Sequence, residues 1–192
     1  MSFINYSKKT IEVKIVYFGC KFSGKGTNLD FVFNKISPNN RGKIVSEFVG
    51  DDKIVSCDFI YEEVGAIRGF KLSYHLCTAS SDMPNSENIK KALENADAVV
   101  FIADSQKSKI EANKKSMEIL QSNFPESDGI QRPLLIQFNK VDVPDKVSAD
   151  EIRSTLNLNN VQGFEAIATN GTGVFETFKA AAKRVFVELR NK

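Results

Sequence analysis

Residues 19–27 read Gly19, Cys20, Lys21, Phe22, Ser23, Gly24, Lys25, Gly26, Thr27, and no other stretch restricts the fold of this chain as strongly. Gly19, Gly24 and Lys25 have the spacing of a phosphate-cradling loop, G-x-x-x-x-G-K-[ST]. In such a loop glycines let backbone N–H groups approach phosphate oxygens, the lysine reaches the terminal ones and a hydroxyl holds Mg²⁺. Gly26 stands where that hydroxyl belongs. The loop needs a strand before it and a helix after it. Residues 11–18 begin as an apolar/charged alternation and end as a continuous apolar run, which predicts the strand. Leu29, Val32, Phe33 and Ile36 recur at helical spacing, so a helix N-terminus would face the anion. An ordinary glycine-rich strand-to-helix turn has the same local signature, and the rest of the chain has to decide between them.

Downstream, residues 37–42 form a turn cluster around Pro38 and Gly42, and the chain to Leu76 reads as extended. Residues 54–61 and 70–76 are two expected strands joined across 65–69 as an antiparallel hairpin. Residues 78–88, with Pro84 inside, read as a loop, and 89–95 as a short helix. A regular alternation then begins: strand 98–103, helix 110–124, strand 134–138, helix 149–156 with Ser148 as N-cap, strand 164–168, and a last helix whose apolar face is Val174, Phe178, Ala181, Val185 and Leu189. This pattern predicts an α/β fold of the P-loop NTPase kind, a mostly parallel sheet with helices on both faces and one antiparallel edge hairpin. Ligands bind such sheets at the carboxyl ends of the strands.

At 192 residues and 42% hydrophobic content, one domain over 1–192 is expected, with a core that needs neither disulfide nor metal. A net charge of +2 and the lack of a Lys/Arg run argue against a nucleic-acid surface. Cys20, Cys57 and Cys77 have no C-x-x-C pairing and read as reduced, apolar-type residues of a cytoplasmic protein. The first ten residues lack a signal-type apolar core, and the longest apolar run, 98–103, is too short to span a bilayer. Ser2 in place of glycine and a C-terminus without cysteine leave no lipid-anchor signal, so membrane contact would require a partner.

Asn139, Lys140 and Asp142 follow the buried strand 134–138, where a base-reading loop would lie. Asp142 can accept from the N1–H and N2–H₂ edge of guanine, whereas adenine has no amine there and would leave the carboxylate unpaired. Lys140 can lay its aliphatic stem along the base. An isolated N-K-x-D is common, but a phosphate loop three strands upstream makes it specific.

Further blocks lie in order along the chain: Lys14 to Tyr17, Ile67 to Lys71, Val99 to Gln106, Glu111 to Asn113, Asn139-Lys140 and Gly173 to Phe175. In these the chain resembles the small Ras-like GTPases, and among them the MglA family of bacterial gliding-motility and cell-polarity GTPases. The likeness runs from Met1 almost to the C-terminus. It implies GDP or GTP as ligand, a roadblock-type (MglB-like) dimer or another polarity protein as partner, and two switch segments. It also assigns nucleotide contacts to the loop residues other than Cys20, and to Ala168, Thr169 and Asn170, which match the small-residue loop that closes over the base.

The departures from the family pattern fall on the catalytic side. Gly26 replaces the threonine that would hold Mg²⁺, and Ile54 falls at the first-switch threonine that senses metal and γ-phosphate, so no protein ligand for Mg²⁺ is retained. Lys53 replaces an arginine that neutralises transition-state charge, without that side chain's planar fork. Lys21 replaces a loop glycine; its ammonium could stand in for part of the missing metal charge or simply be solvated. Ser81-Asp82 replaces the Gly-Gln pair of the second switch, and Asp82 would bring negative charge towards a triphosphate. Lys53 and Asp82 thus occupy catalytic positions without the catalytic groups.

Other candidates point to no site. His75 has no ligand at metal spacing and reads as a core or surface histidine, and Glu62 and Glu63, as strand neighbours, would face opposite sides. The 15 phenylalanines read as core packing. Three functions stay open on sequence: a pseudo-GTPase that binds guanine nucleotide without Mg²⁺, a slow GTPase activated by a partner with Thr27 taking the metal, and a nucleotide-free scaffold. If the first holds, residues 43–58 and 78–89 should be alike with GDP and GTP. Ile54 and Val55 would then be either an exposed contact for the partner or part of the core.

Overall fold

The computed structural model describes residues 3–123 and 132–191. Strand β1 (Phe3–Asn5) precedes β2 (Thr10–Gly19), which runs into helix α1 (Lys25–Lys35). Then follow β3 (Arg41–Val49), β4 (Asp52–Ile60), β5 (Ala66–Ile67), β6 (Phe70–Ser80) and α2 (Ser86–Leu93). The remainder alternates as β7 (Ala98–Asp104), α3 (Ile110–Asn123), β8 (Leu134–Asn139), α4 (Ala149–Thr155), β9 (Gly163–Ala166) and α5 (Val174–Arg190).

The described strands make one sheet in the order β3-β4-β6-β2-β7-β8-β9, with β1 beside β2 and β5 beside β6. From β6 to β9 the neighbours are parallel, and β4 and β3 continue the sheet antiparallel at one edge. Central strands are buried on both faces, which is why their sequences are continuous apolar runs. Val13, Ile15 and Tyr17 of β2 pack with α1 and α5, while Val16 and Phe18 face α2, α3 and α4.

The structure corrects several sequence expectations. The edge strand β3 has no buried face, so no period-two pattern marks it as a strand. The pairing of β4 with β6 is as expected, but its connection carries a 3₁₀ turn (Glu62–Val64) and the short β5, which pairs Ile67 with Phe70. Glu62 and Glu63 therefore lie in a turn rather than on a strand; Glu62 pairs with Lys71 and Glu63 accepts from the Tyr61 hydroxyl. Thr78, Ala79 and Ser80, read as loop, complete β6, because Ser80 pairs with Gly19 of β2. Helix α2 begins earlier than expected, at an Asn85 side chain that caps the Asn88 N–H at 2.9 Å. Helix α3 is described to Asn123, so its expected last residue, Phe124, lies outside the described residues, as do Met1, Ser2 and Lys192. His75 is half-exposed and pairs with Asp58 across the β4–β6 ladder at 2.8 Å; that bond raises its pKa to about 10. Phe3, Phe22 and Phe48 are exposed, so the phenylalanines are not all core.

Beneath β4 and β6, the fully buried Phe178 of α5 meets the rings of Phe59, Tyr61, Tyr74 and Phe175 at centroid distances of 5.3 to 5.7 Å. This cluster pins α5 to the antiparallel half of the sheet. Phe178→Ala should lower unfolding free energy by about 3–5 kcal/mol, measured by urea denaturation, with Phe178→Leu costing less.

Candidate functional site

The carboxyl ends of β2, β6, β7, β8 and β9 open at one end of the sheet, and the loops that follow them meet there. Gly24 is the N-cap of α1 in the left-handed region (φ 96°), with no side chain capping the helix. The first-turn N–H groups have no intrahelical acceptor and point into the loop. Close approach dictates glycine at two positions: a Cβ on Gly19 would lie 2.5 Å from the Ile102 carbonyl oxygen, and one on Gly24 would collide with the Asn139 amide.

Lys25 is buried, and its ammonium donates to the carbonyls of Cys20 (2.7 Å) and Gly19 (3.1 Å). Burial lowers its pKa to about 8, against an opposing pull in which Asp52 and Asp82 take part. The Ser23 hydroxyl is buried close by without a hydrogen-bond partner among the described residues. First-turn N–H groups, an ammonium and an orphaned hydroxyl together suit a phosphate-type anion.

Asn139 ties this loop to two others. Its Nδ2 donates to the Ser23 carbonyl at 2.7 Å, its Oδ1 accepts the Ala168 N–H at 3.0 Å, and its own carbonyl accepts the Ser105 N–H at 2.9 Å. Lys140 has a left-handed backbone (φ 64°), and its Nζ lies 2.6 Å from Oδ2 of Asp104, a fully buried carboxylate. Asn113 of α3 holds the Asp104 backbone from both sides, with its Oδ1 accepting the N–H at 3.0 Å and its Nδ2 donating to the carbonyl at 2.8 Å. Asp142, Thr169 and Asn170 are exposed around this scaffold, and Ala168 is buried in it. Spacing in the sequence gives Asp104 and Asn113 no role of their own. The available signal was a carboxylate ending an all-apolar strand.

On the other side of the loop, Asp82 Oδ2 accepts the Lys21 N–H at 2.9 Å. The Lys21 ammonium donates to the Asp51 carbonyl at 3.2 Å and lies 3.9 Å from Asp52 Oδ1, so this lysine is engaged rather than free in solvent. Thr27 and Phe22 are exposed. Lys53 is exposed on β4, in register with Phe48. Ile54 is half-buried and packs against the core on the α2 side, while Val55 is buried with its N–H on Thr78 Oγ1 at 2.9 Å. Val55 therefore belongs to the core, while Ile54 is packed against it on one side and partly open on the other.

Compared with known proteins, the chain matches the ADP-ribosylation factor (Arf) family over residues 87–185. It is 42% identical over 192 residues, covering 99% of this chain and 98% of the relative, to the mutual gliding-motility protein MglA of Myxococcus xanthus (strain DK1622).

Because Asn139 satisfies two buried backbone groups at once, Asn139→Ala should destabilise the fold by about 1–3 kcal/mol. Asn139→Asp should not recover that loss at neutral pH, since a carboxylate accepts from Ala168 but repels the Ser23 carbonyl. Thermal unfolding of both variants beside the parent checks this.

Proposed function

The chain belongs to the Ras-like small GTPases of the MglA type, and on that footing we propose that it is a guanine-nucleotide-binding module that works through protein contacts and hydrolyses GTP negligibly alone. Membership implies guanine nucleotide as the ligand class. The observation that carries the finer reading is the state of the metal positions. Gly26 has no hydroxyl, and the direction its Cβ would take leads to the Val55 side chain at 3.8 Å. Ile54 is an aliphatic residue paired with Glu47 in the β3–β4 ladder. Thr27 is exposed, one residue on and so about 100° around the helix axis from Gly26, which does not favour its taking over the metal. These residues do not fit Mg²⁺ as a resident ion.

What the chain retains is binding. Lys25 and the α1 N-terminus would meet the phosphates, the Lys140 stem would cover one face of the base, and Asp142 would accept from its N1–H and amine edge. The Ala168, Thr169 and Asn170 loop, anchored through Asn139, would close over the base. Specificity for guanine then rests on matched donors and acceptors rather than on shape. No helix among the described residues is long and apolar enough to cross a membrane. By family likeness we assign the protein to polarity or motility in the cytoplasm, with a roadblock-type dimer or another polarity protein as its partner.

Calorimetry with GDP should give the same affinity in Mg²⁺ as in EDTA, and phosphate release from GTP should stay near background. Turnover at ordinary small-GTPase rates would overturn the reading, and turnover only with a roadblock dimer would favour a partner-activated switch. Gly26→Thr should introduce Mg²⁺ dependence of GTP affinity with little hydrolysis. Asp142→Asn should cost guanine nucleotides about 1.5–3 kcal/mol and favour xanthine, whose extra carbonyl can accept from the amide.

The buried lysine adds a pH signature. With its pKa at about 8, Lys25 is already charged in more acidic solution, and phosphate would raise that pKa. Affinity should be level below the Lys25 pKa and fall above it by up to about tenfold per pH unit, because binding must then take up a proton. Calorimetry at alkaline pH in buffers of different ionisation enthalpy measures that uptake directly.

A further inference from the structure

The phosphate loop already holds an anion of the protein's own. Oδ2 of Asp82 accepts three hydrogen bonds: the Lys21 N–H at 2.9 Å, the Ser81 hydroxyl at 3.2 Å and the Ser80 hydroxyl at 3.3 Å. The Asp82 N–H in turn donates to Ser80 Oγ at 3.2 Å, and the Ser81 N–H donates to the Gly19 carbonyl at 3.2 Å, so the segment after β6 is docked on the loop by its backbone as well. Ser81 Oγ is fixed from behind by Ser116 Oγ at 2.6 Å. Burial pushes the Asp82 carboxyl up, but the bonds from Lys21, Ser81 and Ser80 outweigh it and hold the group below the usual carboxylate range. It is an anion at neutral pH.

The cations nearby are matched. Lys25 interacts electrostatically with both Asp52 and Asp82, and Lys21 lies 3.9 Å from Asp52, whose side chain is buried. Two ammonium groups and two carboxylates thus share the surroundings of the loop, Asp52 from the start of β4 and Asp82 from the segment after β6. In this arrangement a diphosphate can claim Lys25 and the α1 N-terminus, while one further phosphate meets Asp82 already seated on a loop donor. We propose that Asp82 is a built-in surrogate for the terminal phosphate, held by Ser80 and Ser81 on the Lys21 N–H, and that it makes the site select nucleoside diphosphate over triphosphate. This rests on the reading of residues 19–27 as a nucleotide site, and it assigns Asp82 a specificity role. Asp82 is exposed at the rim of the loop, so a triphosphate that displaced it would do so without unpacking the core.

The test is calorimetry of the full chain in EDTA with GDP and with a non-hydrolysable GTP analogue. The parent should prefer GDP by about tenfold or more. Asp82→Asn keeps an acceptor for the Lys21 N–H and removes only the charge, so affinity for the analogue should rise about tenfold while that for GDP moves less than about threefold. Asp82→Ser removes the anion altogether and should give the same reversal, which covers the case of an unstable asparagine variant. If both ligands bind and their affinity ratio is the same in parent and variants, Asp82 is merely a loop cap and the inference is wrong while the nucleotide reading stands. If neither ligand binds parent or variant, the nucleotide reading fails and the inference falls with it.

Discussion

The loop at residues 19–27 and the loop after β9 are both registered to the side-chain amide of Asn139. One group donates to the phosphate-loop carbonyl of Ser23 and accepts from the N–H of Ala168, so two loops more than a hundred residues apart in sequence share one rigid reference. The requirement is strict because both bonds are buried, where an unmade backbone bond costs far more than a made one gains. It also explains the nearby glycine. Gly24 must lack a side chain so that the amide can come in against the loop, and its left-handed backbone then turns the chain into α1. Geometry at residues 139–142 and geometry at residues 19–27 are therefore one constraint.

The two sides differ in how they are held. Around Asn139 and Lys140, Asp104 is fully buried and its charge is met by Lys140, while Asn113 fixes its backbone, which makes a stiff network with little reason to move. At residues 19–27 the ties are ionic and partly exposed: Lys21 is only half-buried, and it reaches the Asp51 carbonyl and the buried Asp52 carboxylate. Exposed ion pairs are individually weak and screened by salt. Asp82 itself is exposed and held by hydrogen bonds from the Lys21 N–H and the Ser80 and Ser81 hydroxyls, so its place on the loop does not depend on a buried network.

How much of this was legible in the sequence depends on burial. β2, β7 and β8 are covered on both faces, so their apolar runs announce them, and the glycine spacing of the loop survives any packing detail. β3 was invisible as a strand because its residues are exposed on both faces and only the ladder to β4 holds it extended. The short β5 depends on a two-residue turn in which Arg68 and Gly69 both take positive φ, and an arginine at the first of these gives no turn signal. N-K-x-D marks Asn139 as part of a base-reading loop, but not that its amide also spends one donor on Ser23 and one acceptor on Ala168, joining that loop to two others. Lys21 and Asp82 were legible as departures from a pattern. That they meet each other is a tertiary fact.

The fold also limits what a third phosphate could accomplish. A ligand shifts a protein between two states only by binding one better than the other. For residues 41–60 to shift against the rest of the sheet, β4 would have to slip along β6 and the Val55 N–H would have to release the Thr78 hydroxyl. A one-residue slip would also exchange the faces of Ile54 and Val55, taking Val55 out of the core. Against that cost, Ile54 offers no hydroxyl to the γ-phosphate, and Ser81 already spends its N–H on Gly19. The hairpin edge is thus stabilised by its own ladder, and under the proposed function a partner lying across it is expected to meet nearly the same surface whichever nucleotide is bound.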